Sequence, residues 1–146
     1  MSDDSKRLEE EYKFLVNRWD DYDRRALTIK GWVSAGALIG VINIKPDTSH
    51  YIIITGLAIV ISAWFNEAIW KSWQHANQHR IHLLERYFRG EDTPDLKPFQ
   101  VHKSWGESTP DPRTLCAIFP EMMRLSAIFP YVVIIAALMY ILLRPA

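Results

Sequence analysis

Three long uncharged blocks divide an otherwise charged chain, and they limit what it can fold into. The middle block is the clearest. Residues 51–64 read YIIITGLAIVISAW, and no charge follows until Glu67. A helix over 51–70 measures about 30 Å, the thickness of the hydrocarbon core of a bilayer. The last block, 125–143, reads LSAIFPYVVIIAALMYILL, and Pro130 in its second turn is expected to kink the helix or mark its start. The first block, 31–44, is too short alone. Extended back to residue 26 it becomes a span with one charge, Lys30, near the end where a lysine can snorkel to the headgroups. The rival reading is a soluble bundle that buries all three blocks, which is hard to build from 146 residues.

Charge then sets an orientation. Formal net charge is zero, with 17 basic and 17 acidic residues, so no basic surplus points to nucleic acid. Seven Lys/Arg precede residue 31, one lies in the link 45–50, eight lie in 71–124 and one follows the last block. The positive-inside rule places the N-terminus and the middle segment in the cytosol, with the short link and the C-terminus outside. Trp32, Trp64, Trp70 and Trp73 fall toward the inner interface, where indole rings prefer the headgroup level. Cys116 is the single cysteine, so no intrachain disulfide can form. The charged first thirty residues are not a cleavable signal peptide.

Steps of four and three from Leu8 give Tyr12, Leu15, Trp19, Tyr22, Ala26, Ile29, Val33, Gly36 and Gly40, all apolar, aromatic or glycine. Such a stripe predicts one helix that starts in the cytosol (1–30) and runs into span one (26–44). Gly36 and Gly40 end it as a small-xxx-small pair, which lets a second helix approach closely. That helix belongs either to the same chain or to a second copy. Leu15, Trp19, Tyr22, Gly36 and Gly40 are thus the candidate packing and oligomer residues.

Nothing breaks a helix between residues 70 and 90, so span two is expected to continue as a cytosolic helix (71–90) capped by Gly90. Trp73, Asn77, Ile81, Leu84 and Phe88 share one face that can pair with the N-terminal stripe into an antiparallel hairpin. His75, His79 and His82 share a face with Glu85, which fits either a solvated basic face, a metal site or a pH sensor. Glu67 sits at the cytosolic edge of span two. Lys71, four residues on, is its expected ion-pair partner, while an intramembrane carboxylate is by default also a functional candidate. Asn43, Asn66, Thr55 and Ser62 can line a pore or bridge helices.

Residues 91–124 form a proline-rich loop in which GEDTPD and GESTPD are near copies. Within it 99–105 alternates like a short extended piece covering the hairpin, and 115–123 is apolar enough to lie in the membrane interface. No phosphate loop, GxSxG, HExxH or cysteine pair is present. An enzyme is not expected, and no cofactor beyond a metal on the histidine face.

The stretches RWDDYDRRAL (18–27) and HRIHLLERYF (79–88), before span one and after span two, carry a likeness in arrangement over about residues 8–90. There the chain resembles small bacterial membrane proteins of the SLATT type, in which a cytosolic helix enters a transmembrane pair and a second cytosolic helix follows. A third span departs from that plan. The resemblance implies a multi-pass protein of the bacterial inner membrane, acting as an oligomeric pore-forming or membrane-perturbing effector under control of its cytosolic helices. The expected fold is therefore all-α with three transmembrane helices, the first two prolonged into a cytosolic hairpin. Its expected partners are the lipid bilayer, further copies of itself and a cytosolic protein. Two other readings stand beside it. One is a membrane-anchored adaptor that binds a cytosolic partner through 71–124. The other is a metal- or pH-sensing subunit.

Overall fold

The computed structural model describes residues 3–45, 48–91, 93, 96–107 and 111–144, and among these the regular structure is entirely helical. Two helices dominate. α1 (Asp3–Asn43) has 41 residues and α2 (His50–Phe88) has 39, so each is about 60 Å long. Both are unbroken, as the sequence pattern predicts. Ser49 caps α2, its side chain accepting from the Tyr51 N–H. At the other end Gly90 takes a left-handed φ of 78°. Its N–H donates to the Tyr87 carbonyl and that of Glu91 to the Arg86 carbonyl, the paired bonds of a Schellman cap.

α1 and α2 form an antiparallel hairpin. Tyr12 meets Glu85, Glu11 meets Arg80, Trp19 meets His75, Asp23 meets Lys71 and Lys30 meets Glu67. Leu8 and Leu15 pack with Ile81 and Leu84 in the charged half, with Tyr12 and Trp19 beside them. The stripe read from the sequence is therefore the α1 contact face as far as Val33. Beyond it, Gly36 and Gly40 are exposed, and Val33, Ala37, Val41 and Ile44 are the more covered residues. The cause is geometric. A straight α-helix drifts about 20° per heptad against a strict seven-residue repeat, so a stripe that begins at Leu8 has rotated off the contact by its fifth turn of the pattern.

Three short helices and a fourth apolar one return along α2. α3 (Val101–Glu107) covers the charged half of the hairpin, where Trp105 Nε1 donates to Asn77 Oδ1 at 2.9 Å. The extended piece expected over 99–105 is therefore helical from Val101, following a Phe99 whose φ of 62° turns the chain. α4 (Leu115–Met122) touches α2 at His75 and Trp64 through Glu121 and Met122, and Pro112 in the turn before it accepts from Ser72. α5 (Leu125–Ile128) and α6 (Tyr131–Leu143) follow. The near-copy motifs fall partly on 92, 94–95 and 108–110, outside the described residues, as do 46 and 47 of the link.

The expected third span is not formed as one helix. Phe129 and Pro130 separate α5 from α6, because proline lacks an N–H and holds the residue before it in extended geometry, here φ −85° and ψ 129°. The 13 residues of α6 measure about 20 Å, well short of the roughly 30 Å of a hydrocarbon core. α6 instead lies along the apolar half of the hairpin. Tyr131 and Leu138 pack with Ile53 and Val60, and Ile141 and Leu142 reach the same cluster as Val41 and Ile44.

α1 and α2 are long and apolar enough to cross a membrane. Their apolar stretches are not core helices of this chain. Only 6% of the most apolar 18-residue window in α1 is buried, and 22% in α2.

Candidate functional site

A polar layer separates the apolar half of the hairpin from the charged half, and Glu67 is its centre. The sequence gives Glu67 four residues before Lys71, yet the two do not pair. Glu67 is 1% exposed and points across the hairpin, where Lys30 Nζ lies 2.8 Å from its Oε1. The Tyr131 hydroxyl donates to Oε2 at 3.0 Å. Lys30 also donates to the Ser126 carbonyl, so it turns inward instead of snorkelling, with 17% of its side chain exposed. Three elements and the α5 segment are therefore tied at one level by a carboxylate, an ammonium and a phenol. Trp64, stacked on Tyr131 with ring centres 6.3 Å apart, donates its Nε1–H to the Met122 carbonyl and closes the layer.

Burial explains why the groups meet. A carboxylate this deep is costly unless paired and hydrogen-bonded, and so is a lone lysine on an apolar helix. Each supplies what the other needs. Lys71, released from Glu67, pairs with Asp23 of α1 and donates to Gln74 Oε1 at 3.0 Å. Burial works against the Asp23 carboxylate, but the hydrogen bonds from Lys71 and Gln74, with the nearby charges of Lys71 and His75, together hold its pKa below the usual range. Further into the charged half, Arg80 forks onto Glu11 at 2.9 and 3.0 Å, both side chains nearly fully buried. Glu11 also accepts the Phe99 N–H at 2.8 Å. Glu11, Arg80, Tyr131, Glu121 and Arg124 were not legible as site residues. Lys30 is conspicuous as the lone charge in a predicted span, but sequence spacing directs it to the headgroups and pairs Glu67 with Lys71 instead.

The histidine face divides. His75 Nδ1 lies 3.1 Å from Glu121 Oε2, and Arg124 approaches its Nε2 at 3.1 Å. Its ring stands edge-on to Trp19 at 5.9 Å. Burial pushes the His75 imidazole below its ordinary pKa, with Glu121 opposing and Arg124 assisting. His82 instead turns to Gln78 and Glu85, each at 3.3 Å, and His79 is exposed. Among the described residues, no three His, Cys, Asp or Glu side chains are gathered so as to hold a metal ion.

The other candidates are placed as follows. Leu15 is in the core and Trp19 at its edge, while Tyr22 accepts from Arg18 Nε at 3.1 Å. Asn43, Thr55 and Ser62 each donate to the carbonyl four residues earlier on their own helix, and Asn66 is exposed. A Cβ added at Gly36 or Gly40 meets nothing within 4 Å, so neither glycine packs inside the chain. Gly56 does: a Cβ there would sit 3.7 Å from Leu138 Cδ1 of α6. Comparison with protein-family models, with curated proteins and with solved structures gives no match.

Proposed function

We propose that the chain is a multi-pass inner-membrane protein that self-associates into a pore-forming or membrane-perturbing effector, its cytosolic half-hairpin controlling the apolar half. One observation carries the membrane reading. The apolar faces of α1 and α2 point away from the molecule, with Trp32, Ile42, Ile52 and Ile59 all at least 60% exposed. Exposed apolar surface on this scale needs lipid or another chain to cover it. In this reading Lys30, Glu67 and Tyr131 lie at the inner boundary, and the N-terminus is cytosolic. α4 lies across α2 at that level, burying Ile118 and Glu121 and exposing Leu115 at 69% and Phe119 at 62%, as an interfacial helix does.

Self-association rests on Gly36 and Gly40, which stand open on the outer face of α1 where a second helix backbone can approach. The effector role follows the SLATT-like arrangement of cytosolic helix, membrane pair and cytosolic helix. α6, too short to cross alone, belongs to the apolar half as a buttress on α2. No catalysis is assigned. The test is to reconstitute the chain in liposomes, count subunits by crosslinking and record ion leakage. A defined oligomer with flux is expected. A silent monomer overturns the proposal in favour of an anchored adaptor.

A further inference from the structure

A cavity of about 310 Å³ opens in the charged half of the hairpin, between α1, α2 and the segment leading into α3. Phe14, Leu15, Phe99, Val101 and Trp105 wall it, and Arg18 stands at its side. That volume and an apolar, aromatic lining around few polar groups are the ordinary features of a small-molecule site. Three details set it apart from a surface groove.

The first is charge. Glu11 lies on the floor, but its two oxygens are taken by Arg80 and by the Phe99 N–H, and the pair is neutral. Arg18 is different. Its guanidinium lies over the rings of Phe14 and Tyr22, at 5.9 and 5.7 Å, and its Nε donates to the Tyr22 hydroxyl. Among the described residues no carboxylate lies within ion-pair distance of it. The cavity therefore carries an unpaired guanidinium held in place by stacking, with His102 also in its lining and a second guanidinium, Arg113, over the Trp105 ring at 5.9 Å. The second is strain. Phe99 has a φ of 62°, a conformation that costs a side-chain-bearing residue energy and that persists only where the surroundings impose it. Here the Phe99 N–H is held by the buried Glu11 carboxylate, and the phenyl ring is left 66% exposed at the rim. The third is Trp105, fixed by its bond to Asn77, which presents an anchored indole wall.

We infer that this cavity binds a small aromatic carboxylate, its ring between the Phe99 and Trp105 walls and its carboxylate on the Arg18 guanidinium. A planar fork of N–H donors matches a carboxylate, and rigid aromatic walls match a flat ring. The site lies in the charged half of the hairpin, and its occupation would brace α3 against it. The inference does not depend on the membrane reading.

The experiment is calorimetric titration of the full chain, in nanodiscs of zwitterionic phosphatidylcholine, with naphthalene-2-carboxylate, using empty nanodiscs as the blank. One saturable site per chain is expected. Naphthalene-2-carboxamide, the same ring without the charge, should bind at least about tenfold more weakly. Arg18→Gln should weaken the carboxylate by a similar factor and bring it level with the amide. Phe99→Ala should weaken both probes. Arg144→Gln, at the far end of the chain, should change neither. Arg18 is at the surface, so the variant folds, and its circular dichroism checks this. Absence of saturable binding up to millimolar probe overturns the inference. So does equal binding of acid and amide to the parent chain, or an Arg18→Gln variant that binds the acid unchanged.

Discussion

Glu67 shows at the scale of one residue how burial decides a partner. Lys71 is near in sequence, but it projects toward Asp23, and the buried carboxylate takes Lys30 from the facing helix and the phenol of Tyr131. Removing one member of a buried ion pair leaves the other uncompensated, at a cost of about 3 kcal/mol or more. Lys30→Met and Glu67→Leu should therefore each lower unfolding stability in detergent strongly, while the double variant should lose much less than their sum. Additive losses would show that the two groups are not coupled. His75 provides a second prediction, in pH. Lys71 on its own helix, Trp19 and Asp23 on α1, and Glu121 and Arg124 from the α4 region all surround it. Its folded pKa is below the ordinary value of 6.5, so the folded state binds fewer protons than the unfolded chain in the window just below 6.5. Its contribution is complete above that pH and is lost as pH falls through it. The Asp23 contribution, with a folded pKa also lowered, is lost only below about 3.8. The protection factors of the α4 amides, taken against the intrinsic exchange rate at each pH, should fall as pH drops below 6.5, and His75→Asn should abolish that fall. An unaltered pH response in His75→Asn would assign it to another group.

Among the elements, the hairpin was the legible part and α6 was not. The α1 stripe could be read because Leu8, Tyr12, Leu15 and Trp19 repeat at the period of a packed helix. Of the two partners left open for Gly36 and Gly40, the same chain is not one the structure supplies, because the drift of the helix carries the stripe off α2 and is invisible in a list of spacings. The polar layer was half legible. Lys30 and Glu67 were each conspicuous as charges beside apolar blocks, but their pairing depends on how far α1 and α2 slide past one another. Pro130 was visible in the last block, yet composition alone did not show that a break there leaves a helix too short to span. Nor did it show that the short helix would settle against Gly56. That contact is testable. A methyl at Gly56 makes ordinary van der Waals contact with Leu138, and alanine is the better helix former by about 1 kcal/mol, so Gly56→Ala should hold or raise stability. Gly56→Leu has no room unless α6 moves, and overpacking of this kind costs about 1–3 kcal/mol. Unfolding followed by circular dichroism in detergent should rank the three alanine, glycine, leucine. A leucine variant as stable as the parent would mean that α6 is not seated on α2 there.

The whole molecule is a hairpin with two unlike halves, and they bury their surfaces differently. In the charged half the two helices satisfy one another through Glu11–Arg80, Asp23–Lys71 and the Leu8, Leu15, Ile81 and Leu84 core, with α3 laid over them. In the apolar half the interior is covered by α6, but the outer faces of α1 and α2 are left bare. Lipid can cover most of that surface without specificity. Gly36 and Gly40 are the exception, since a glycine face gains little from lipid tails and much from a close helix. Because a side chain at either position meets nothing within the chain, replacing both with leucine separates folding from assembly. Leucine exceeds glycine in helix propensity by nearly 1 kcal/mol per site, so the double variant should keep or gain helicity and stability as a monomer. Under the proposed self-association, the oligomer counted by crosslinking in liposomes should shrink toward the single chain in the double variant, and the proposed ion leakage should fall with it. Leakage that persists in a monomeric variant would place the conducting unit within one chain. An oligomer of unchanged size would move the interface to another bare face of the hairpin, with the outward isoleucines of α2 the next to be replaced.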